Sequence, residues 1–166
     1  MSEWVKAKRD RKQEHQRMEK AISPYNYENQ KKALATDKKF RVAIGDEINK
    51  CRDLTFPMIE AAYLENDMNN AGALEDVMQW LDVFLLELGL PLEWNSEANY
   101  RLFSKLIRLD DQLYKDSKKL TLALSKLNDK TLKQKGGSVV NQCATLKQYV
   151  TNLLTIFKRR RHSLGG

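Results

Sequence analysis

Apolar residues recur at three- and four-residue spacings along most of this chain, and nowhere do they alternate with polar ones for the length of a strand. The period predicts helices and no sheet. From Asp37, read as an N-cap, Phe40, Val42, Ala43, Ile44, Ile48, Cys51 and Leu54 mark an amphipathic helix. Pro57 interrupts that pattern, so Met58, Ile59, Ala62 and Tyr63 either continue past a kink or begin a short new helix. Asn66 to Gly72 reads as a loop. Ala73 to Leu88 is the densest stretch, with Leu74, Val77, Met78, Leu81, Phe84, Leu85 and Leu88 inside roughly 120° of helical arc. Gly89-Leu90-Pro91 stops it. Ser96 caps a long helix over residues 96-131, and a last helix from Ser138 buries Val139, Val140, Cys143, Leu146, Val150, Leu153, Leu154 and Phe157.

Four core helices with short connections predict an all-α fold, an antiparallel helical bundle spanning residues 37-161. Residues 1-36 are expected to be a basic helical N-terminal extension and connector. Ser2 is placed to cap good helix formers from Glu3 to Ala21, but Trp4, Val5, Met18 and Ile22 form no continuous apolar stripe, which predicts a loosely anchored helix. Ser23-Pro24 ends it. Residues 162-166 are expected to be a flexible tail, and the Gly136-Gly137 pair a flexible interhelix turn.

Charge changes the picture of the long helix. Counting Lys and Arg against Asp and Glu, residues 1-44 hold 12 against 6, residues 45-100 hold 2 against 12, and residues 101-166 hold 15 against 4. The ends are basic and the middle acidic. On a wheel of the 96-131 helix, Arg101, Lys105, Arg108, Lys115, Lys119, Lys126, Lys130 and Lys133 share roughly 80° of arc. Leu102, Leu106, Leu109, Leu113, Leu120, Leu124 and Leu127 gather on a separate stripe. Like charges four apart destabilise a helix by roughly 0.2-0.5 kcal/mol each, and only Glu97 at the start of the stripe offers relief. An external anion, or acids packed alongside, would offset that cost. Lys6, Lys8, Arg9, Arg11 and Lys12 at one end of the chain, and Lys158, Arg159, Arg160 and Arg161 at the other, are read as basic arms for the same phosphate backbone. Trp4, Tyr25 and Tyr27 either stack on unpaired bases or anchor the N-terminal segment.

Candidate chemistry is thin. His15 and His162 lie in segments expected to be exposed, and neither follows a glutamate at the spacing of a di-iron bundle. Cys51 and Cys143 are too far apart for a zinc site and read as buried thiols. The adjacent acids Asp46-Glu47, Glu75-Asp76 and Asp110-Asp111 diverge by about 100° on a helix and read as solvated faces. No metal, no cofactor and no enzymatic reaction is expected. The chain is therefore expected to bind nucleic acid, DNA or RNA, through its backbone and without sequence readout, as a subunit of a larger nucleoprotein assembly. The alternative is a protein-protein adaptor or self-assembling subunit, whose acidic middle meets a basic face of another copy around Trp80, Val83, Leu86, Leu90, Leu92 and Trp94. Membrane attachment is not expected, because the N-terminal helix has few large apolar residues, and the expected location is cytoplasmic, or nuclear in a eukaryote.

Overall fold

Each long helix begins where a side chain can close its first turn. In the structure, a computed structural model that describes residues 1–133 and 137–165, the helices are α1 (Glu3–Asp10), α2 (Lys12–Ala21), α3 (Gln30–Leu64), α4 (Met68–Glu87), α5 (Tyr100–Lys133) and α6 (Val140–Arg161). Among the described residues there is no strand, and the fold is an all-α helical bundle. Ser2 Oγ accepts from Val5 N (3.2 Å) at the start of α1. Asn29 Oδ1 accepts from Lys32 N (2.9 Å), so α3 starts before the expected cap at Asp37, whose carboxylate is drawn into the core instead. Asp67 Oδ1 accepts from Asn70 N (3.0 Å), which shortens the expected 66-72 loop to a tight turn with Asn66 at a φ of 54°. Asn99, not Ser96, caps α5, accepting from Arg101 N (3.1 Å) and Leu102 N (3.2 Å). Pro57 lies inside α3 without ending it, because Ile48, Cys51, Thr55, Met58 and Ile59 bury one continuous face across it.

The chain divides into two compact units: unit 1 is Met1–Ile44, Leu88–Lys115 and Thr155–Gly166, and unit 2 is Gly45–Glu87 and Asp116–Leu154. In unit 2, α3 and α4 run antiparallel, with Arg52 paired to Asp82 (2.7 Å) and the Tyr63 hydroxyl donating to Glu75. Segments of α3 and α5 run parallel: Glu47 meets Lys118 (3.2 Å) and Thr121 (2.9 Å), and Asn128 Nδ2 donates to Leu54 O (2.7 Å) further along both. The same sense joins α4 to α6, where Asn70 takes Val139 N (3.0 Å) and gives to Gly137 O (2.9 Å), while Lys147 pairs with Asp76 (2.8 Å). Consecutive helices are thus antiparallel and alternate ones lie side by side, around a core of Ile48, Met58, Leu74, Leu81, Leu120, Leu124 and Val150.

Unit 1 is built differently, and it corrects two expectations. The N-terminal helices are not loosely anchored: Trp4, Ala7, His15, Met18, Ile22, Tyr25 and Tyr27 are all buried. Their stripe was hidden because Ala7, Arg11 and His15 fill positions between the large apolar residues, and because the helix breaks at Arg11 (φ -112°, ψ 46°). The Trp4 ring meets His15, Tyr27 and Phe103 edge-on with centroids 5.6–5.8 Å apart, a favoured aromatic geometry. Nor is the C-terminal segment free. Leu164 is buried, Ser163 Oγ donates to Arg160 O (2.7 Å), and Asn95 Nδ2 donates to Gly165 O (3.2 Å). The expected Gly136-Gly137 turn lies in part outside the described residues.

Candidate nucleic-acid interface

The two stripes of α5 separate in space as they do on the wheel. Leu106, Leu109, Leu113, Leu120, Leu124 and Leu127 are buried, Leu102 is half-buried, and all eight stripe cations are exposed. In unit 1 these are Arg101, Lys105, Arg108 and Lys115. Arg101 lies over the Tyr100 ring (5.9 Å) and donates to its hydroxyl (3.4 Å), which raises the pKa of the guanidinium. Lys115 stands 3.8 Å from Asp111, which itself accepts from Arg17 Nε (3.0 Å) and Nη2 (2.8 Å). In unit 2 they are Lys119, Lys126, Lys130 and Lys133, of which Lys119 lies 4.0 Å from Asp116. Among the described residues no carboxylate lies within ion-pairing distance of Arg101, Lys105, Arg108, Lys126, Lys130 or Lys133. Lys118, one position off the stripe, turns instead to Glu47. Burial pushes the Glu47 carboxyl up, but hydrogen bonds from Thr121, Lys50 and Lys118 outweigh it and hold the pKa below the usual range.

The terminal cations divide sharply. Arg160, expected on the surface, is 0% exposed and sits at the centre of unit 1. Its guanidinium donates to Asp110, to Asp37 Oδ1 (2.6 Å) and to the Tyr27 hydroxyl (3.1 Å), and lies 4.2 Å from the Phe40 ring centroid. Asp110 also accepts from the Tyr25 (2.7 Å) and Tyr27 (2.5 Å) hydroxyls, and Asp37 from Arg41 Nε (2.9 Å) and Leu92 N (3.1 Å). Burial raises the Asp110 pKa, and Arg160 and the two phenols pull it back down. Burial lifts both tyrosines well above the usual phenol range, which leaves them neutral donors. A side chain so enclosed cannot reach a polyanion, and Arg160 is removed from the candidate site. Arg11 donates to Ser104 (3.0 Å), Arg161 pairs with Glu93 (3.8 Å), Lys6 pairs with Glu3 (3.2 Å) and Lys8 is half-buried. Arg9, Lys12, Lys158 and Arg159 remain exposed on unit 1.

Other expected residues also moved. Tyr25 and Tyr27 are buried hydrogen-bond donors and, with Trp4, cannot stack on bases. Asp110, Asp111 and Glu47 are buried ion-pair members rather than solvated acids, whereas Asp46 and Glu75 are exposed. His15 is buried among Trp4 and Tyr25, and burial lowers its pKa. Both cysteines are buried free thiols whose pKa burial raises to about 11. Of the expected partner patch, Leu92 is 3% exposed, because its N–H is bonded to Asp37 and its side chain joins the core. Trp80, Val83 and Trp94 are half-buried, Trp94 against Phe103 (6.5 Å), and Leu86 is 79% exposed with Leu90 at the 38% level.

One feature was missed. In unit 2 the stripe residues Lys126 and Lys130 edge a cleft of about 360 Å³ between α5 and α6, lined further by Ala123, Leu127, Gln142, Thr145 and Leu146. Its only trace in the sequence is that Val140 to Leu146 carries no charge in a chain rich in lysine. Among the described residues no group of three or more His, Cys, Asp or Glu is placed to hold a metal, and no helix is long and apolar enough to cross a membrane. No protein-family model, curated protein or solved structure matches the chain, so its function is argued from its own residues.

Proposed function

We propose that this chain is a non-enzymatic helical protein that binds nucleic acid, DNA or RNA, through its phosphate backbone without sequence specificity, as a subunit of a larger nucleoprotein assembly in the cytoplasm or nucleus. The observation that carries the reading is the outer face of α5, where six of the eight exposed cations have no carboxylate within ion-pairing distance among the described residues. Cations left in water along a helix are repelled by one another, and phosphates relieve that repulsion while releasing their condensed counterions. Arg9, Lys12, Lys158 and Arg159 add charge to the surface of unit 1. The α5 cations act as charges toward phosphates and not as readers of paired bases, so duplex affinity would follow charge and salt rather than sequence.

Fluorescence anisotropy with labelled duplexes at low salt tests the reading. The chain is expected to bind unrelated sequences alike, and Lys119→Glu with Lys126→Glu to weaken binding to all of them equally. No binding at low salt would remove the proposal, and unchanged affinity in the double variant would mean that the α5 face serves something else.

The exposed Leu86 favours a second reading, a protein-protein adaptor or self-assembling subunit. Its acidic half is weakened, since Glu47, Asp76, Asp82 and Glu93 already hold cations of their own chain. Light scattering against salt concentration tests it: self-association without nucleic acid supports this reading, and a salt-independent monomer contradicts it.

A further inference from the structure

The α5–α6 cleft of unit 2 offers more chemistry than backbone binding uses. Its floor is apolar, with Leu127 and Leu146 buried and Ala123 open to solvent. Its α6 wall presents Gln142, whose amide can give and take hydrogen bonds, and Thr145, whose hydroxyl donates to Asn141 O (3.2 Å) and can still accept, both exposed and uncharged. Lys126 and Lys130 stand four positions apart on the rim, neighbours on one helix face at about 5–6 Å between Cβ atoms. At about 360 Å³ the cleft is in the lower range of small-ligand sites. The α5 lining spans only about two helical turns, roughly 10 Å, too short to lay out an acyl chain, and the Gln142 amide on the wall would be left unmatched by hydrocarbon. Two cations spaced along one rim of an apolar slot, facing a neutral polar wall, suit a flat heteroaromatic ring that has a hydrogen-bonding edge and an anion before and after it.

We propose that this cleft receives one unpaired base of a single-stranded nucleic acid, with Lys126 and Lys130 holding the phosphates that flank it and the Gln142 amide meeting the base edge. The inference rests on the backbone-binding function proposed above and adds to it a preference for unpaired strands. In a duplex the base faces are stacked and their edges paired, so only phosphates reach the two lysines. In a single strand the base enters the slot and adds apolar contact with Leu127 and Leu146 and a hydrogen bond with Gln142 to the phosphate contacts.

Three labelled probes of equal length at one salt concentration decide the matter by anisotropy: oligothymidine, the same strand with abasic sites throughout, and a duplex. Oligothymidine is expected to bind about tenfold more tightly than the abasic strand, the scale of about one net hydrogen bond. Thr145→Leu fills the cleft from an exposed position and is expected to bring oligothymidine down to the abasic level while leaving duplex affinity unchanged. Ala123→Leu, from the opposite wall, is expected to do the same, so a folding defect in one variant does not shield the proposal. Equal binding of oligothymidine and the abasic strand, unaffected by either leucine, overturns the base site and leaves backbone binding standing. No binding of any probe at low salt removes both.

Discussion

The last turn of α6 and the outer face of α5 carry the same charge into opposite surroundings. Arg160 in unit 1 is enclosed by Asp37, Asp110 and two aromatic layers, whereas Lys126 and Lys130 stand in water at the edge of an open cleft in unit 2. A buried charge is tolerable only when its surroundings match it with opposite charge and hydrogen bonds, and the Arg160 cluster does so with two carboxylates whose other lone pairs draw donors from Tyr25, Tyr27, Arg41 and the Leu92 backbone. An exposed lysine needs no such company, and that freedom is what leaves it available to an external anion. Cations that look alike in sequence therefore divide into those that hold the fold and those that face a partner.

The sharpest way to break this comparison is to remove one cation from each set. Arg160→Met strands two buried carboxylates and is expected to cost about 3–5 kcal/mol, whereas Lys126→Met is expected to fall within about 0.5 kcal/mol of wild type. Urea unfolding measures both, and equal effects would erase the distinction. Tyr27→Phe removes a hydroxyl bonded to both Asp110 and Arg160 and leaves their demand unmet, with an expected loss of about 1–3 kcal/mol.

A smaller effect comes from pH. Burial lowers the His15 pKa below its ordinary value of 6.5, against the pull of Glu19 and in concert with Lys8. The unfolded chain therefore binds a proton that the folded one resists, so this contribution is fully present above about 6.5 and is lost as pH falls below it. Melting temperature should decline through that window before most carboxylates titrate. His15→Phe should flatten the decline; an unchanged slope would place the titration elsewhere.

How far the residues announce this architecture depends on what fills their stripes. The leucines and lysines of α5 were legible because each set is chemically uniform and recurs with one period. The N-terminal face was not, since the half-buried Arg11 and the buried His15 look polar and Ala7 is too small to mark a stripe. Asp37 resembled a cap because aspartate at a helix start is normally one, and only the arrival of Arg160 from far along the chain gives it another role. The same long-range pairing hid Asp110 and Arg160 among the solvated charges. The α5–α6 cleft escaped notice for a different reason, being a shape between two helices that neither helix encodes alone.

The claim that the α5 cations engage phosphates is tested most directly by the salt dependence of duplex binding, read as the slope of log affinity against log salt concentration. Engagement of about five phosphates predicts a slope near -4.5, and each stripe lysine converted to methionine should make it shallower by about 0.9. A slope near zero, or one that the Lys119, Lys126 and Lys130 substitutions leave untouched, would contradict the account.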